Sequence, residues 1–305
     1  MLISIIIPTF NRAHLISKTL DSFIAQTYTN WEIVVIDDGS EDNTREVVTA
    51  YEDKRIKYFI RDREHKKGPS GCRNYGFQKS KGEYVLFFDD DDIAHPELLK
   101  ICVEQFQKQT LDFCRYKREV FYGDFDKEFD ERKKFDSFFI DSNDLEKMIT
   151  NQIPFNTCAV VWKRSCFQNE KFNEDLFYSD EWECYQRVLS NDIKGISINK
   201  VLLYARKHEI SSTQKFKDSN YKYLSSTRKA MVLTIKNLEA KKRLNKNLFL
   251  FFVRNGFVLD DYKIINEALD KYDSDFITRL KYRIGYKFYP VIKPFFKIKA
   301  KIKKD

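Results

Sequence analysis

The 305-residue sequence contains no run of about 20 apolar residues, the length that a transmembrane helix needs. Its longest apolar run, residues 248–253, is explained by a buried helix or strand. The six cysteines form no Cys-x-x-Cys pair, and their scattered spacing argues against a zinc site and for a reducing compartment. The first residues lack a basic leader and a small-residue cleavage site, which favours a strand over a signal peptide. We therefore expect a cytoplasmic globular protein without an internal repeat or a low-complexity linker.

The charge of the chain is unevenly distributed, although 42% apolar and 33% charged residues are typical of a globular protein. The net charge is +8, and residues 279–304 contain ten basic residues and no acidic one. Lysines alternate with aromatic residues in this tail, a pattern that suits a peripheral contact with an anionic membrane. Nucleic-acid binding or a disordered, solubilising tail would have the same composition, but we expect no nucleic acid. Pro290 and Pro294 predict that the tail is not one continuous amphipathic helix.

Short apolar runs alternate with amphipathic segments over the first hundred residues. Runs of this length are typical of strands buried on both faces of a parallel sheet. They lie at residues 3–7, 33–36, 56–60 and 84–88. Helices are predicted between these runs at residues 15–24, capped by Asn11, at 43–51, and after a flexible loop within 68–79. Another predicted helix has Pro96 in its first turn. The alternation predicts an α/β sheet with right-handed crossovers.

The remainder of the chain gives a weaker pattern. Residues 111–139 mix aromatic and charged side chains and are predicted to contain strands and an insertion. Residues 151–162 and 196–204 are predicted as further strands. From Lys222 onward the apolar spacing predicts helices.

Polar side chains follow three of the predicted strands. These are Pro8-Thr9 to Arg12 after the first, Asp37-Asp38 after the second, and Asp89 to Asp92 after the fourth. Ligands of α/β sheets bind beyond the carboxyl ends of the strands, so we expect one site here. Four consecutive carboxylates repel one another unless a cation neutralises them. Their hard oxygens suit Mg²⁺ or Mn²⁺, which usually bring phosphates. A solvated acidic turn is the alternative.

The order of these motifs resembles family 2 glycosyltransferases of the GT-A fold. The first half of the resemblance lies in residues 3–12 (ISIIIPTFNR), 35–40 (VIDDGS), Arg73-Asn74 and 88–92 (FDDDD). It continues in residues 171–176 (KFNEDL), 179–182 (SDEW) and 204–208 (YARKH), followed by Ser211 and Ser212. The resemblance covers residues 2–213. It implies a GT-A domain over 1–213, with a nucleotide-binding half (1–100) and an acceptor half (101–213), followed by a helical region with the basic tail (214–305).

The resemblance also implies roles for individual residues. Asp91, Asp89 and His208 are the implied metal ligands, with the register inside the four-aspartate run open by one residue. Arg73 would recognise a phosphate or a base carbonyl, as suits a guanidinium. The residues assigned to the nucleotide-sugar are Pro8, Thr9, Asn11, Arg12, Asp37, Asp38, Arg73, Asp89 and Asp90. For Asp37 and Asp38, a tight turn or helix capping is the alternative use of the carboxylates.

Sugar transfer by direct displacement needs a base that takes the proton of the acceptor hydroxyl. The family uses the aspartate of a Glu-Asp pair, whereas this sequence has the reversed pair Asp180-Glu181. Alignment on Trp182 places Glu181 at the base position, and Asp180 remains open. Acidic residues that decorate a helix N-terminus are the structural alternative.

The resemblance implies an inverting, metal-dependent hexosyltransferase. The resemblance implies a nucleotide-sugar donor, with UDP as the expected nucleotide, and a glycan or lipid-linked acceptor in lipopolysaccharide or capsule synthesis at the inner face of the cytoplasmic membrane. One alternative is a nucleotidyltransferase, which should have a Gly-rich, basic loop after the first strand, where this chain has no glycine. The other is a non-catalytic glycan- or membrane-binding protein with a degenerate GT-A fold, and the reversed acidic pair is its best support.

Overall fold

The structure is a computed structural model that describes residues 1–207, 216 and 220–302, with side chains described as far as Tyr289. It divides into two compact units, Met1–Ser226 and Thr227–Asp305. The predicted boundary between residues 213 and 214 falls outside the described residues.

A mixed β-sheet forms the centre of the first unit. Its strands are β1 (Ile3–Thr9), β2 (Trp31–Asp37), β3 (Ile56–Ile60), β4 (Tyr84–Phe87), β5 (Ile93–Ala94), β6 (Phe113–Tyr122), β7 (Ser137–Asp141), β8 (Val160–Lys163) and β9 (Lys194–Lys207). Their order across the sheet is β3-β2-β1-β4-β8-β6-β9-β5, and β7 also pairs with β9. The four neighbouring strands β3, β2, β1 and β4 are parallel to one another. Strand β8 is antiparallel to β4 and β6, and β9 is parallel to β6.

Helices cover the sheet and form the second unit. They are α1 (Ala13–Ile24), α2 (Thr44–Thr49), α3 (Pro69–Lys79), α4 (Leu98–Lys108), α5 (Leu145–Ile149), α6 (Asp180–Leu189), α7 (Tyr221–Ala240), α8 (Lys246–Val258), α9 (Tyr262–Lys271) and α10 (Phe276–Ile302). Short 3₁₀ turns lie at Ser142–Asp144, Thr157–Ala159 and Arg164–Phe167.

The parallel half of the sheet follows directly from the apolar runs. Alternate residues of each strand enter different cores, because successive side chains point to opposite faces. Ile5 and Ile33 pack with residues of α1 and α4, whereas Val34 packs with Cys72 and Tyr75 of α3. The four predicted strands and the helices between them are confirmed, as is the helical character of the chain after Lys222.

Three local predictions are wrong. Asn11 does not cap α1: it has a left-handed backbone (φ 53°), and the first helical N–H, that of Ala13, donates to Asp42 instead. Residues 151–162 are strand only from Val160, because the left-handed conformation of Asn151 (φ 62°) turns the chain. The predicted flexible loop before Arg73 is short, since α3 already begins at Pro69, a favourable residue for the first turn.

The tail departs most from its prediction. Helix α10 runs without interruption from Phe276 to Ile302, through both Pro290 and Pro294. A proline inside a helix ordinarily removes one backbone hydrogen bond and crowds the preceding turn, which costs about 3 kcal/mol. The turn that precedes Pro290 is anchored by ring contacts, because Tyr286 and Tyr289 both pack on Phe257 of α8. Such packing offsets part of the cost of the proline.

The second unit is built from the helices that follow Ser226. Its core consists of apolar side chains from successive helices, including Ile235, Phe252 and Ile265, none of which is exposed. Rings of α10 join this core through Tyr282, which packs on Phe249. Among the described residues, no helix has both the length and the apolar character that crossing a membrane requires.

Candidate active site

The ends of β1, β2 and β4 place the predicted polar residues at one edge of the sheet. The register pairs Thr9 at the end of β1 with Asp37 at the end of β2, and Ile6 with Phe87 at the end of β4. The N–H of Phe88 still donates to Ile6, so the chain leaves the sheet at Asp89. All three polar segments therefore lie at the carboxyl edge, where ligands of parallel sheets bind.

The two carboxylates that follow β2 organise the backbone around them. Asp37 is buried, and one of its oxygens accepts the N–H groups of Gly39 (2.9 Å) and Ser40 (2.7 Å), while the other accepts the hydroxyl of Tyr58. Asp38 accepts the Nε–H of Arg61 at 2.5 Å and the N–H of Gly68 at 2.9 Å. The geometry thus gives Asp37 the turn function, whereas Asp38 fixes both ends of the loop at residues 61–68.

The same loop is held from its other side by Glu174. One carboxylate oxygen accepts from His65 Nδ1 (2.6 Å) and from the side-chain amide of Asn74 (2.8 Å). The other accepts the N–H of Lys66 at 2.7 Å. Burial alone would raise the pKa of Glu174, but the hydrogen bonds from Asn74 and His65 lower it, so the carboxylate stays ionised. Glu174 therefore joins the loop beside Asp38 to the segment that leads into α6.

Glycine allows that loop to approach α3. A Cβ atom at Gly71 would lie 2.0 Å from the carbonyl oxygen of Lys66, closer than any side chain can come. The position of the 61–68 loop over α3 therefore depends on the missing side chain.

The four aspartates form the turn between β4 and β5. The N–H of Asp89 donates to Cys158 Sγ (3.2 Å), and a carboxylate oxygen of Asp92 accepts the backbone N–H of Arg206 (2.9 Å). The guanidinium of Arg206 donates to the carbonyl of Asp91 at 3.1 Å. Asp90 and Asp92 are buried, whereas Asp89 and Asp91 are partly exposed. The two partly exposed carboxylates are therefore the ones that a ligand can reach.

The acidic run carries more negative charge than its surroundings neutralise. Burial and the charge of Asp91 raise the pKa of Asp90 to about 7, although Thr9 and Arg12 act in the opposite direction. Burial and the charges of Asp91 and Asp89 raise the pKa of Asp92 well above its ordinary value. A divalent cation at this turn would remove that repulsion. The donor set therefore fits a hard metal ion.

One set of potential metal ligands in the described part of the chain consists of Asp89, Asp92 and Cys158, whose ligand atoms lie within 4.8 Å of one another. Cys158 fits a metal poorly, because burial raises the pKa of its thiol and keeps it protonated. Its thiol hydrogen-bonds to the carboxylate of Asp92, which also accepts from Arg206. Asp92 is thus already engaged by the protein.

Arg73 connects the acidic turn to the predicted base. Its Nη1 lies 2.7 Å from Asp180 Oδ2 and its Nη2 lies 3.1 Å from Asp89 Oδ1. Ser70, one turn earlier on α3, donates its hydroxyl to the same oxygen of Asp180 at 2.8 Å. Burial alone would lower the pKa of Arg73, but the charges of Asp180 and Asp89 raise it above its ordinary value. Arg73 is therefore engaged by protein carboxylates.

Glu181 differs from its neighbour in its contacts and exposure. Ser179 has a left-handed backbone (φ 62°), an uncommon conformation for a residue with a side chain, and it turns the chain directly into α6. Asp180 is buried against Arg73, whereas Glu181 in the same first turn is partly exposed. Burial and the charge of Asp180 raise the pKa of Glu181 to about 8. A carboxylate with a raised pKa is a stronger base, as proton abstraction near neutral pH needs.

The other predicted residues that the structure describes lie at the same edge. Pro8 and Thr9 end β1, the N–H of Asn11 donates to Ser40 at 2.8 Å, and Arg12 Nε lies 3.9 Å from Asp90. His208 lies outside the described residues.

Four contributors to the site were missed from the sequence. Glu174 lies in the KFNEDL segment that carried the resemblance, so a signal existed for it. Phe10 is an exposed aromatic residue at the end of β1, with Lys67 Nζ 4.5 Å from the ring centroid. Ser70 and Cys158 gave no signal, because nothing local indicates a contact across 110 or 69 residues of chain.

This fold and edge site define a nucleotide-diphospho-sugar transferase architecture of the GT-A type. The family model "Glycosyl transferase family 2" matches residues 4–170. The chain belongs to this family.

Two curated relatives are similar to part of this chain. A UDP-Glc:alpha-D-GlcNAc-diphosphoundecaprenol beta-1,3-glucosyltransferase, WfgD of Escherichia coli, is 38% identical over 119 residues, which cover 39% of this chain and 46% of the relative. A GalNAc(5)-diNAcBac-PP-undecaprenol beta-1,3-glucosyltransferase of Campylobacter jejuni is 33% identical over 184 residues, covering 59% and 57%. The chain thus spans about half the length of these two relatives.

Two solved structures share the fold. Staphylococcus aureus TarS 1-349 in complex with UDP-GlcNAc superposes with a TM-score of 0.68 at 22% identity, covering 88% of this chain and 80% of TarS 1-349. The mannosyltransferase PcManGT from Pyrobaculum calidifontis, in complex with GDP-Man and Mn²⁺, has a TM-score of 0.59 at 15% identity, covering 94% and 84%. At sequence identities this low, the similarity shows a shared fold and does not show that this chain binds the same ligands.

Proposed function

We propose that this protein is an inverting glycosyltransferase that moves a hexose from a UDP-sugar to a lipid-linked glycan. The observation that carries the proposal is the division of work between the two neighbouring acids of α6. Asp180 is fixed by Arg73 and Ser70, which leaves the partly exposed Glu181 as the carboxylate able to meet a substrate.

Glu181 is the proposed catalytic base. It accepts the proton of the acceptor hydroxyl while that oxygen forms a bond to the anomeric carbon of the donor. The bond from the anomeric carbon to the diphosphate breaks on the opposite face of the sugar, so the configuration inverts. Asp180 is a positioning residue, since its carboxylate touches Arg73 and Ser70. The reversed order of the two acids is therefore compatible with catalysis.

The donor nucleotide is proposed to lie along the ends of β1 and β2. Asp38 bounds this region together with Thr9, and the exposed ring of Phe10 offers a face on which a nucleobase can stack. Arg12 lies close enough to Asp90 to reach a diphosphate beside the acidic turn. UDP is the proposed nucleotide because the name of the Escherichia coli relative includes UDP-Glc and TarS was solved with UDP-GlcNAc.

Asp89 and Asp91 are the proposed holders of a divalent cation, Mn²⁺ or Mg²⁺. They are the partly exposed members of the run, although Asp89 Oδ1 also accepts from Arg73 at 3.1 Å, whereas Asp92 is buried and bonded to the N–H of Arg206. Carboxylate oxygens are the ligands that both ions prefer. When bound, such an ion would offset the charge of the departing diphosphate. His208 remains a predicted further ligand.

The acceptor is proposed to be a sugar carried on an undecaprenol diphosphate, as in a growing lipopolysaccharide or capsule chain. Both curated relatives are named for undecaprenol-linked acceptors. Their lipid anchors such acceptors in a membrane, so we propose that the protein acts as a peripheral protein at the inner face of the cytoplasmic membrane.

Calorimetry and turnover test this proposal together. UDP, GDP and CDP are titrated into the full chain with Mn²⁺ and again with EDTA, and UDP release from UDP-glucose is measured with water as acceptor. Asp91→Asn should abolish Mn²⁺-dependent UDP binding, whereas Glu181→Gln should retain binding and lose UDP release. Asp126→Asn, an exposed aspartate of the 123–136 segment, is the matched control and should change neither. Binding of no nucleotide, or unchanged turnover in Glu181→Gln, would contradict the proposal.

A further inference from the structure

The first half of α10 exposes apolar side chains on the face that does not pack. Residues 276, 277, 280, 284 and 288 recur at helical spacing, so they form one stripe along the helix. The stripe consists of Phe276, Ile277, Leu280, Ile284 and Phe288, all of which are exposed. The opposite face is occupied, since the rings of Tyr282, Tyr286 and Tyr289 pack on α8 and α9. The stripe is therefore left uncovered by the described part of this unit.

Cations border the stripe on both sides. On a helical projection Lys281 lies at one margin and Arg283, which also pairs with Asp270 at 3.2 Å, lies at the other. Lys287 lies inside the stripe, between Phe276 and Leu280. Lys281, Arg283 and Lys287 are all exposed. The continuous helix carries this arrangement toward a segment in which residues 279–304 have ten basic residues and no acidic one. Apolar side chains flanked by long basic ones match the boundary between lipid tails and phosphate headgroups.

We propose that this stripe is a docking surface for an anionic lipid membrane, with α10 lying in the plane of the headgroups. The apolar side chains enter the boundary of the acyl chains, and Lys281 and Lys287 contact lipid phosphates. A second copy of the chain suits the stripe less well. A symmetric contact through the stripe would bring Lys281 and Lys287 of both copies into or beside the interface, and the repulsion between these cations would oppose association.

The inference stands apart from the proposed sugar transfer, because vesicle binding needs neither a donor nor an intact base. The full chain is sedimented with vesicles of phosphatidylcholine alone and of phosphatidylcholine mixed with phosphatidylglycerol. Binding to the mixed vesicles should exceed binding to the neutral ones at least tenfold. It should fall steeply at about 1 M salt, where the Debye length is about 3 Å.

Two double variants separate the apolar and the basic contributions. Leu280→Gln with Ile284→Gln should lower vesicle binding at least tenfold. Lys281→Gln with Lys287→Gln should lower binding to the anionic vesicles about 25-fold, at about fivefold per lysine. Matched controls are Phe138→Gln with Phe139→Gln, an exposed pair on β7, and Lys133→Gln with Lys134→Gln. Neither control should change vesicle binding, and all four variants should keep the helical circular dichroism and the UDP release of the parent.

Three results would overturn the inference. The first is absence of binding to anionic vesicles by the parent chain. The second is unchanged binding after Leu280→Gln with Ile284→Gln, which would place the contact elsewhere. The third is a dimer in light scattering that this variant converts to a monomer, which would assign the stripe to a second copy. If the parent chain binds the vesicles but does not release UDP from UDP-glucose, the result would count against the proposed function and not against this inference.

Discussion

The contact between Arg73 and Asp180 should be worth several kilocalories per mole, and a double-mutant cycle can measure it. Both side chains are only 6% exposed, and their charged atoms lie 2.7 Å apart. Removing one member of a buried ion pair leaves an uncompensated charge and costs about 3–5 kcal/mol. The second contact of Arg73, with Asp89, adds at most about 1 kcal/mol, because the side chain of Asp89 is 44% exposed. Arg73→Met should therefore lower the free energy of unfolding by about 4 kcal/mol.

The double variant Arg73→Met with Asp180→Leu should recover most of this loss. Apolar residues of similar size often replace a buried pair at little cost, so we expect it to unfold within about 1 kcal/mol of the parent. Asp180→Leu alone should cost about 3 kcal/mol, because Arg73 then lacks its buried partner. Neither single variant nor the double should release UDP from UDP-glucose, since each disturbs the setting of the base.

Urea unfolding followed by tryptophan fluorescence is the assay. The three tryptophans, at positions 31, 162 and 182, all belong to the first unit, so the signal reports the unit that contains the pair. The control is Arg132→Met, which removes an ion pair with Asp130 in which the arginine is 53% exposed, and it should cost no more than about 1 kcal/mol. Strictly additive losses in the double variant would refute the link between α3 and α6.

Three further perturbations test the site. Because burial and Asp180 raise the pKa of Glu181 to about 8, its basic form increases as the pH rises. The kcat/KM for UDP release should therefore climb about tenfold per pH unit and level off near about pH 8, and a plateau already at pH 6 would refute the assignment. Gly71→Ala would push its new methyl group against the carbonyl of Lys66, which should weaken UDP binding at least tenfold in calorimetry. Glu174→Gln keeps the shape but loses the charge that holds the loop, so it should raise the KM for UDP-glucose and lower kcat together, whereas a change in neither would leave Glu174 without a positioning role.

The parallel half of the fold could be predicted because its information is local. An apolar run such as residues 3–7 can be buried on both faces only as an inner strand, and the helical spacing that follows requires α1. The pairing of β9 with β5, β6 and β7 gave no such signal. These contacts join segments far apart in sequence, and mixed aromatic and charged residues fit several partners equally well. The continuous α10 was missed because the sequence does not show the contacts of Tyr286 and Tyr289 with Phe257, which offset part of the cost of Pro290.

The location of the site was likewise predictable, since polar residues after parallel strands must meet at the carboxyl edge. Which carboxylate performs which task was not, because that depends on hydrogen bonds from elsewhere in the chain. Asp37 and Asp38 are neighbours with the same functional group, yet Tyr58 and two backbone N–H groups engage one, while Arg61 and Gly68 engage the other. Both are aspartates at the end of the same strand, so a sequence pattern treats them alike, and only their contacts in the folded chain distinguish them.

Contacts in the folded chain also distinguish the two acids of the reversed pair on α6. Exchanging Asp and Glu in the sequence changes which side chain meets Arg73 and how far each carboxylate reaches. Here the shorter side chain lies against the guanidinium at 2.7 Å, whereas the longer one hydrogen-bonds to Asp180 and remains partly exposed. Burial, together with the charge of Asp180, raises the pKa of Glu181, which makes it a stronger base than an isolated glutamate. In the assignment we propose, the inversion of the two acids leaves the buried Asp180 to position Arg73 and the partly exposed Glu181 to accept a proton, and a degenerate site would have no physical reason to keep that division.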